Sequence, residues 1–342
     1  MLGYFSGLSY LMWMSLLASR LTEICKRIAF RHWRRLCAVV LLFSMVVLTG
    51  CTSAVPERSE ANPLKLTLWQ GVNPPPNRDV LQKLVDRFNQ THPQIQVESV
   101  YVGQPDQQLP KILASVVGNA PPDLLWFNPT LTGQLIELDA IQPIDEWLDR
   151  SPVKAQIDPA LFATMRYENR LWSMPFDTNN VGIFYRPSLF KAAGIDKPPQ
   201  TWTEFRNVAR QLTQDTNGDG RPDRHAIQLA LGKGEFAVFT WLPFLWSSGG
   251  EIATKPTTQG LQVTVDSPET TAALEFWQEL VNDGSAILSQ PERGYELDNF
   301  LAGKVAMQIS GPWTLGQLQQ SGVDFDVFAI PTQARPATAL GG

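Results

Sequence analysis

The stretch from Leu171 to Ile195, LWSMPFDTNNVGIFYRPSLFKAAGI, constrains this chain most, because it sets two short apolar runs on either side of a polar loop. LWSMPF reads as a strand, Asp177, Thr178, Asn179 and Asn180 as a hydrogen-bonding loop, and VGIFY as a buried strand. Pro187 to Ala193 reads as a short helix stopped by Gly194. Such a connection suits a chain leaving one α/β lobe and entering another. Side chains on it sit at a domain interface, a preferred place for a small-molecule cleft.

Strand and helix periods alternate from Leu64 onward. LKLTLW is a strand ending at Trp69, and a loop from Gly71 to Pro76 leads to a helix with Leu81, Leu84, Val85 and Phe88 on one stripe. IQVESVYV is the next strand, Leu109, Ile112, Leu113, Val116 and Val117 mark a second helix, and DLLWF is a third short buried strand. Strands separated by helices imply parallel βαβ units. Ligands of such sheets bind beyond the carboxyl ends of the strands, which singles out Trp69, Gln70, Phe127, Asn128 and Thr130.

Beyond the crossing stretch, Thr201 to Glu204 spells a capping box, so a helix runs from there to about Leu212. AIQLAL is a strand, and Phe236 to Trp246 an aromatic helix ended by Gly249 and Gly250. Ser267 caps the next helix with Pro268 at its first position, and Ala273, Phe276, Trp277, Leu280 and Val281 form its core stripe up to Gly284. Phe300 belongs to a short helix, and VAMQIS and FDVFAIP are the last strands of this half.

The first 50 residues read as a leader. RHWRR followed by the apolar run Leu36 to Leu48 has the charged and hydrophobic regions of a secretory signal, too short for a comfortable membrane span. It ends in LTGC, which resembles the lipobox of bacterial lipoproteins, with Cys51 as the diacylated mature N-terminus. Residues 51–62 would then be a flexible lipidated tether. The second apolar run, Tyr4 to Leu17, reads as an upstream extension, with an extra membrane segment as the alternative.

From Cys51 on, 292 of the 342 residues remain, enough for two lobes. They carry 22 basic against 32 acidic groups, net −10, which disfavours nucleic acid or anionic lipid as a partner surface. The three cysteines all lie within the first 51 residues, and only His92 and His225 follow Cys51. Thiolate metal sites and histidine-based catalysis therefore have almost nothing to draw on. DTNGDGRPD offers oxygen ligands Asp215, Asn217, Asp219 and Asp223 in calcium-loop spacing with Gly220 at the sharp turn. Position 12 is Ala226 instead of a closing glutamate, so an Asx-rich turn is favoured over a calcium site.

DTNNVGIFYRPSLFKAAGIDKPPQTWTEF resembles the central signature of the extracellular solute-binding proteins of ABC importers, and GKVAMQISGPW, Gly303 to Trp313, resembles their second signature. The aromatic helix ending in SSGGE, and PPDLLWF, match in kind and order. The resemblance implies an α/β fold of the two-lobe periplasmic binding protein type (type II), with a cleft between lobes 63–176 and 177–339 and hinge crossings. Residues 340–342 would start the return crossing, and the rest of the first lobe with its C-terminal helices would be missing.

The resemblance also places Trp313 where the family stacks a sugar, and Asp177, Thr178 and Asn179 where it supplies polar contacts; Trp246 and Gly250 join the candidate set. Trp147, Trp172, Trp202 and Trp277 lie in helical or strand patterns and are expected in the core. The function implied is a monomeric, exported and lipid-anchored receptor of the bacterial cell envelope. It would bind a sugar, need no cofactor, have calcium as its one metal candidate, and pass its solute to a permease. A receptor for glycerol phosphates or another anion is the alternative, and a glycoside hydrolase using Asp177 and Glu235 a rival from another class.

The lipobox makes a direct prediction: after expression in a bacterial host, mass spectrometry finds a diacylglyceryl group on Cys51 at the mature N-terminus. An intact leader, or a free thiol at that cysteine, contradicts it.

Overall fold

Residues 62–232, 234–253, 260–289 and 297–341 are described by the computed structural model; the leader, Cys51 and the tether up to residue 61 lie outside them. The first strand, β1 (Leu64–Gln70), pairs in parallel with β2 (Ile95–Tyr101) along its whole length, from Leu64 opposite Ile95 to Gln70 opposite Tyr101. Its other edge pairs in parallel with β3 (Leu124–Leu125), giving the order β2-β1-β3. Two right-length crossovers make this possible, α1 (Pro75–Thr91) and α2 (Pro105–Val117).

Leu81 and Val85 of α1 and Ile112 of α2 are buried as their spacing requires. Leu84 is not: it is 55% exposed, lying about 60° around the helix from Leu81 at the margin of the stripe. Phe88, in the last turn, stacks on His92 at 4.2 Å and remains 37% exposed. Val117 is 87% exposed because α2 ends on it. DLLWF pairs only through Leu124 and Leu125.

Two short helices follow, α3 (Thr132–Glu137) and α4 (Asp145–Asp149), and then a hairpin of β4 (Arg166–Tyr167) with β5 (Arg170–Leu171). Leu148, Phe162, Met165 and Leu171 close a small core here. Trp147 departs from the expected core position and is 57% exposed, since the five-residue α4 turns Leu148 inward instead. LWSMPF departs too: only Leu171 is strand. The Trp172 N–H goes to Met165 O at 3.1 Å, and Pro175 has no N–H to give a ladder.

The crossing carries β6 (Asn179–Asn180), which leads into β7 (Gly182–Tyr185) and α5 (Pro187–Ala192). Helix α6 (Trp202–Leu212) opens with the expected capping box: Thr201 Oγ1 accepts from Glu204 N, and the Glu204 carboxylate accepts from Thr201 N. The chain continues through β8 (His225–Ala230), α7 (Glu235–Ser247), α8 (Pro268–Asn282), β9 (Ala286–Ser289), α9 (Asp298–Leu301) and β10 (Val305–Ser310). It ends through α10 (Leu315–Ser321), β11 (Asp326–Phe328) and β12 (Leu340–Gly341). Strand β11 is shorter than FDVFAIP because Pro331 and the residues before it turn under α6, where Pro331 O accepts from Trp202 Nε1.

The second sheet has the order β11-β7-β10-β8-β9; β8 is parallel to both β10 and β9, while β7 runs antiparallel to β10 and β11. Strand β12 comes back beside β6, antiparallel, with Leu340 opposite Asn180. Aromatic packing fills one face of the sheet: Trp202 stacks on Phe276 at 4.5 Å, and Phe244 meets Trp277 edge-on at 5.7 Å. Trp202 and Trp277 are thus core, as their periodicity requires, and Trp172 is partly buried. No described helix is long and apolar enough to cross a membrane.

Helices α6 and α8 are tied by charge as well. Arg206 Nε donates to Asp283 Oδ2 at 2.7 Å, and Arg210 Nε donates to the same oxygen at 3.0 Å. The hydrogen bonds from Arg206 hold the Asp283 carboxyl down at about 2. Because its folded pKa lies below an unfolded value near 4, the stabilisation is complete above about pH 4 and disappears as pH falls towards 2. Asp283→Asn is expected to cost about 1 kcal/mol at pH 7 and progressively less below pH 4, measured by denaturant melts across that range. An equal loss at pH 7 and pH 2.5 contradicts this assignment.

Candidate functional site

Parallel pairing sends the carboxyl ends of β1, β2 and β3 to one edge of the first sheet. Trp69 O accepts from Trp126 N at 2.8 Å and Gln70 O from Val102 N at 2.9 Å, so the three exits stay side by side. Trp69 is partly buried between Val100 and Leu125, while Gln70 is buried and its Oε1 accepts from Val72 N at 2.9 Å. Gln70 therefore shapes the loop that follows. At Gly71 a Cβ would stand 2.4 Å from Gly103 O and 2.9 Å from the Trp126 ring, so only glycine fits.

The same edge carries two anchored side-chain groups. Arg78 donates from Nε to Val72 O (3.3 Å) and from Nη2 to Asn73 Oδ1 (2.7 Å), with its guanidinium 3.5 Å above the Tyr101 ring. Beyond β3, Phe127 is partly buried and Asn128 caps the single turn Pro129–Leu131. Asn128 Oδ1 accepts from Thr130 N and Thr130 Oγ1, both at 3.0 Å, while the Thr130 residue itself is exposed.

The second sheet presents the carboxyl ends of its parallel strands to this edge. Glu235, the first residue of α7, follows β8, and Gly311 to Trp313 follow β10. Asn128 Nδ2 donates to Glu235 Oε1 at 2.7 Å, and Asn77 Nδ2 lies 3.5 Å from Trp313 O. Two contacts thus bring the two strand edges face to face.

Trp313 is partly buried and packs on the core of the second sheet, its ring 6.4 Å from that of Phe239. Gly311 is extended, and a Cβ there would lie 2.1 Å from the Trp313 ring, so this glycine makes room for the plate.

Asp177 and Thr178 are exposed on the crossing, immediately before Asn179, which pairs with Gly341 in the small sheet of β6 and β12. Asp177 keeps solvent access, yet the protein around it desolvates the carboxylate and raises its pKa above the ordinary value. Trp246 packs on the second core and its carbonyl accepts from Arg335 Nε at 2.8 Å. Gly250 is buried where a Cβ would meet Leu245 Cδ1 at 2.4 Å, so its role at that position is packing at the end of α7.

The acidic loop uses its oxygens internally. Asp215 accepts from Gly218 N and Gly220 N, Asn217 from Asp219 N, Asp219 from Arg221 N, and Asp223 from Thr216 and Asn217. Among the described residues no group of three or more His, Cys, Asp or Glu side chains is placed to hold a metal ion.

Of the residues that the sequence singles out, Trp69, Asn128 and Trp313 lie at the facing edges and Asp177 on the crossing; Asn77, Arg78 and Tyr101 at these edges were not among them, and Glu235 was met only as half of a catalytic pair. A signal for Glu235 exists: an acidic residue at the start of the helix that follows AIQLAL, on the carboxyl side of a parallel strand.

Gly311→Ala is expected to displace the Trp313 indole, costing about 1–3 kcal/mol of stability and shifting tryptophan emission. An unchanged melt and an unchanged emission spectrum contradict the close approach.

A sequence profile described as bacterial extracellular solute-binding protein matches residues 74–340. The chain is 22% identical over 278 residues to the maltotriose-binding protein of Pyrococcus abyssi, covering 80% of this chain and 55% of that one. It is also 22% identical over 299 residues to the sn-glycerol-3-phosphate-binding periplasmic protein UgpB of Brucella abortus, covering 85% of this chain and 67% of that one. The chain therefore spans little more than half the length of the first of these relatives. Among solved structures, an ABC transporter solute binding protein from Thermotoga lettingae bound with alpha-D-tagatose superposes with a TM-score of 0.71 at 25% identity, covering 82% of this chain and 71% of that one.

Proposed function

Because this chain belongs to the bacterial extracellular solute-binding protein family, with the two-lobed type II fold of its structural neighbours, we propose that it is the receptor of an ABC importer that carries a carbohydrate to a permease. Residues 63–176 and 177–339 are read as the lobes, with the solute held between their facing strand ends. The reading is of a monomeric, exported protein, lipid-anchored through Cys51. It acts without catalysis, so the solute returns chemically unchanged.

The observation that carries the reading is the pairing of the Trp313 indole with the amide of Asn128 and the carboxylate of Glu235 on the facing edges, with the Asp177 carboxylate on the crossing. Sugars offer apolar C–H faces to a plate and hydroxyl edges to such acceptors and donors. Closure follows physically: a solute that touches both lobes binds the shut form more tightly and shifts the population towards it.

The glycerol-phosphate alternative draws support from the likeness to UgpB and from Arg78 beside the cleft edge. Two considerations favour the neutral solute. The Arg78 fork is already committed to Val72, Asn73 and Tyr101, and the carboxylates of Asp177 and Glu235 repel an anion. Calcium at Asp215, Asn217, Asp219 and Asp223 is no part of the reading, since those oxygens already bind their own loop.

Calorimetric titration with neutral sugars beside phosphate esters tests the proposal, and the neutral sugars are expected to bind. Trp313→Ala should then lower sugar affinity about ten- to a hundredfold while leaving the fold intact. Phosphate esters binding in preference to sugars, or a large fall in melting temperature with affinity preserved, contradicts it.

A further inference from the structure

Tyr101 is the last residue of β2, on the edge that carries the candidate site, and two side chains fix its ring. Asn73 Nδ2 donates to the phenol oxygen at 2.8 Å, while Asn73 Oδ1 accepts from Arg78 Nη2 at 2.7 Å, so both partners set the orientation of that amide. Arg78 in turn donates from Nε to Val72 O at 3.3 Å and lays its guanidinium 3.5 Å above the ring. The ring is thus held at its hydroxyl and on one face, yet the residue remains 37% exposed. At an exposed position a cation–π contact adds little to stability. Its physical effect here is to hold the ring in one orientation, so that little side-chain freedom is lost when something packs on it.

The same loop ties this ring to the second lobe. Asn77 Nδ2 lies 3.3 Å from Asn73 O and 3.5 Å from Trp313 O, so residues 73–77 touch Tyr101 at one end and Trp313 at the other. The two aromatic side chains therefore stand one on each facing edge, each braced by its own lobe: Trp313 by an aromatic core, Tyr101 by Arg78 and Asn73.

From this arrangement we propose that Tyr101 is a second stacking plate for the solute, receiving an apolar C–H face of a sugar on the side turned away from Arg78. The proposal rests on the carbohydrate-receptor reading and deepens it, because the solute then meets an aromatic surface on each lobe. Two plates on opposite lobes can both cover the solute only when the lobes come together on it, so Tyr101 contributes to solute-driven closure as well as to affinity. Arg78 and Asn73 are positioning residues in this account, since they touch Tyr101 and act through it.

Calorimetric titration of the full chain with glucose, galactose, maltose, cellobiose and maltotriose, beside thermal melts without sugar, tests the plate. For the sugars that bind, Tyr101→Ala should weaken affinity about tenfold, with little change in melting temperature. Tyr101→Phe keeps the ring and the guanidinium above it and loses only the bond from Asn73, so its affinity should stay within about threefold of the unaltered protein. Arg78→Met, which removes the brace and leaves the plate, should weaken binding by less than Tyr101→Ala does. If Tyr101→Ala does not fold, Tyr101→Leu keeps apolar bulk without a ring and should show the same loss.

Affinity that Trp313→Ala weakens and Tyr101→Ala leaves unchanged overturns the plate and leaves the receptor reading standing. Tyr101→Phe as weak as Tyr101→Ala, with a matching fall in melting temperature, makes Tyr101 a structural residue and overturns the plate as well. Binding of none of these sugars removes the carbohydrate reading and the plate together.

Discussion

Parallel pairing is the constraint on which the rest of this molecule depends. A parallel strand returns only through a crossover, here α1 and α2, so the exits from β1, β2 and β3 all lie on one edge. The same holds for β8 and β10 in the second sheet. Once two such edges are placed against each other, the loops that leave them become the walls of a cleft. The close approach of Gly71 to Gly103 O and the Trp126 ring, and of Gly311 to Trp313, shows how tightly those loops are drawn together.

The two halves reach stability by different means. In the second half a continuous core runs from Trp202 and Phe205 through Phe244, Phe276 and Trp277 to the strands β8 and β10, and the Arg206–Asp283 pair ties its outer helices. In the first half the sheet has three strands, one of them two residues long, and Val80, Leu84 and Val117 are exposed. An aromatic core lies beneath Trp313, whereas the opposing edge is held mainly by hydrogen bonds that Gln104 and Arg78 donate and that Gln70 and Asn128 accept. Hydrogen-bonded loops on one side and a packed plate on the other is an arrangement that can select hydroxyl patterns over an apolar backing.

Where the sequence states a local rule, the structure follows it. Thr201 with Glu204, and Ser267 with Pro268, begin their helices as those residue types dictate, and Gly194, Gly249 and Gly284 take the positive φ that ends theirs. Periodicity fails where an element is too short to express it. The one-and-a-half turns of α4 can bury Leu148 or Trp147 but not both, and LWSMPF alternates like a strand while its pairing with the β4 side ends at the Trp172–Met165 bond and Pro175 has no N–H to extend a ladder. The site was legible on its first edge, because the rule that ligands bind beyond parallel strand ends needs only the strands. Glu235 and Asn77 were not, since their roles come from contacts 107 and 236 residues away.

The central claim is that both strand edges hold one solute. Hydrogen–deuterium exchange with and without a bound neutral sugar reads this directly, because it reports each loop separately. The account predicts slower exchange together at residues 70–74, 126–130 and 311–314, on both sides of the cleft. Protection confined to one sheet, or located at the acidic loop of residues 215–223, would contradict it.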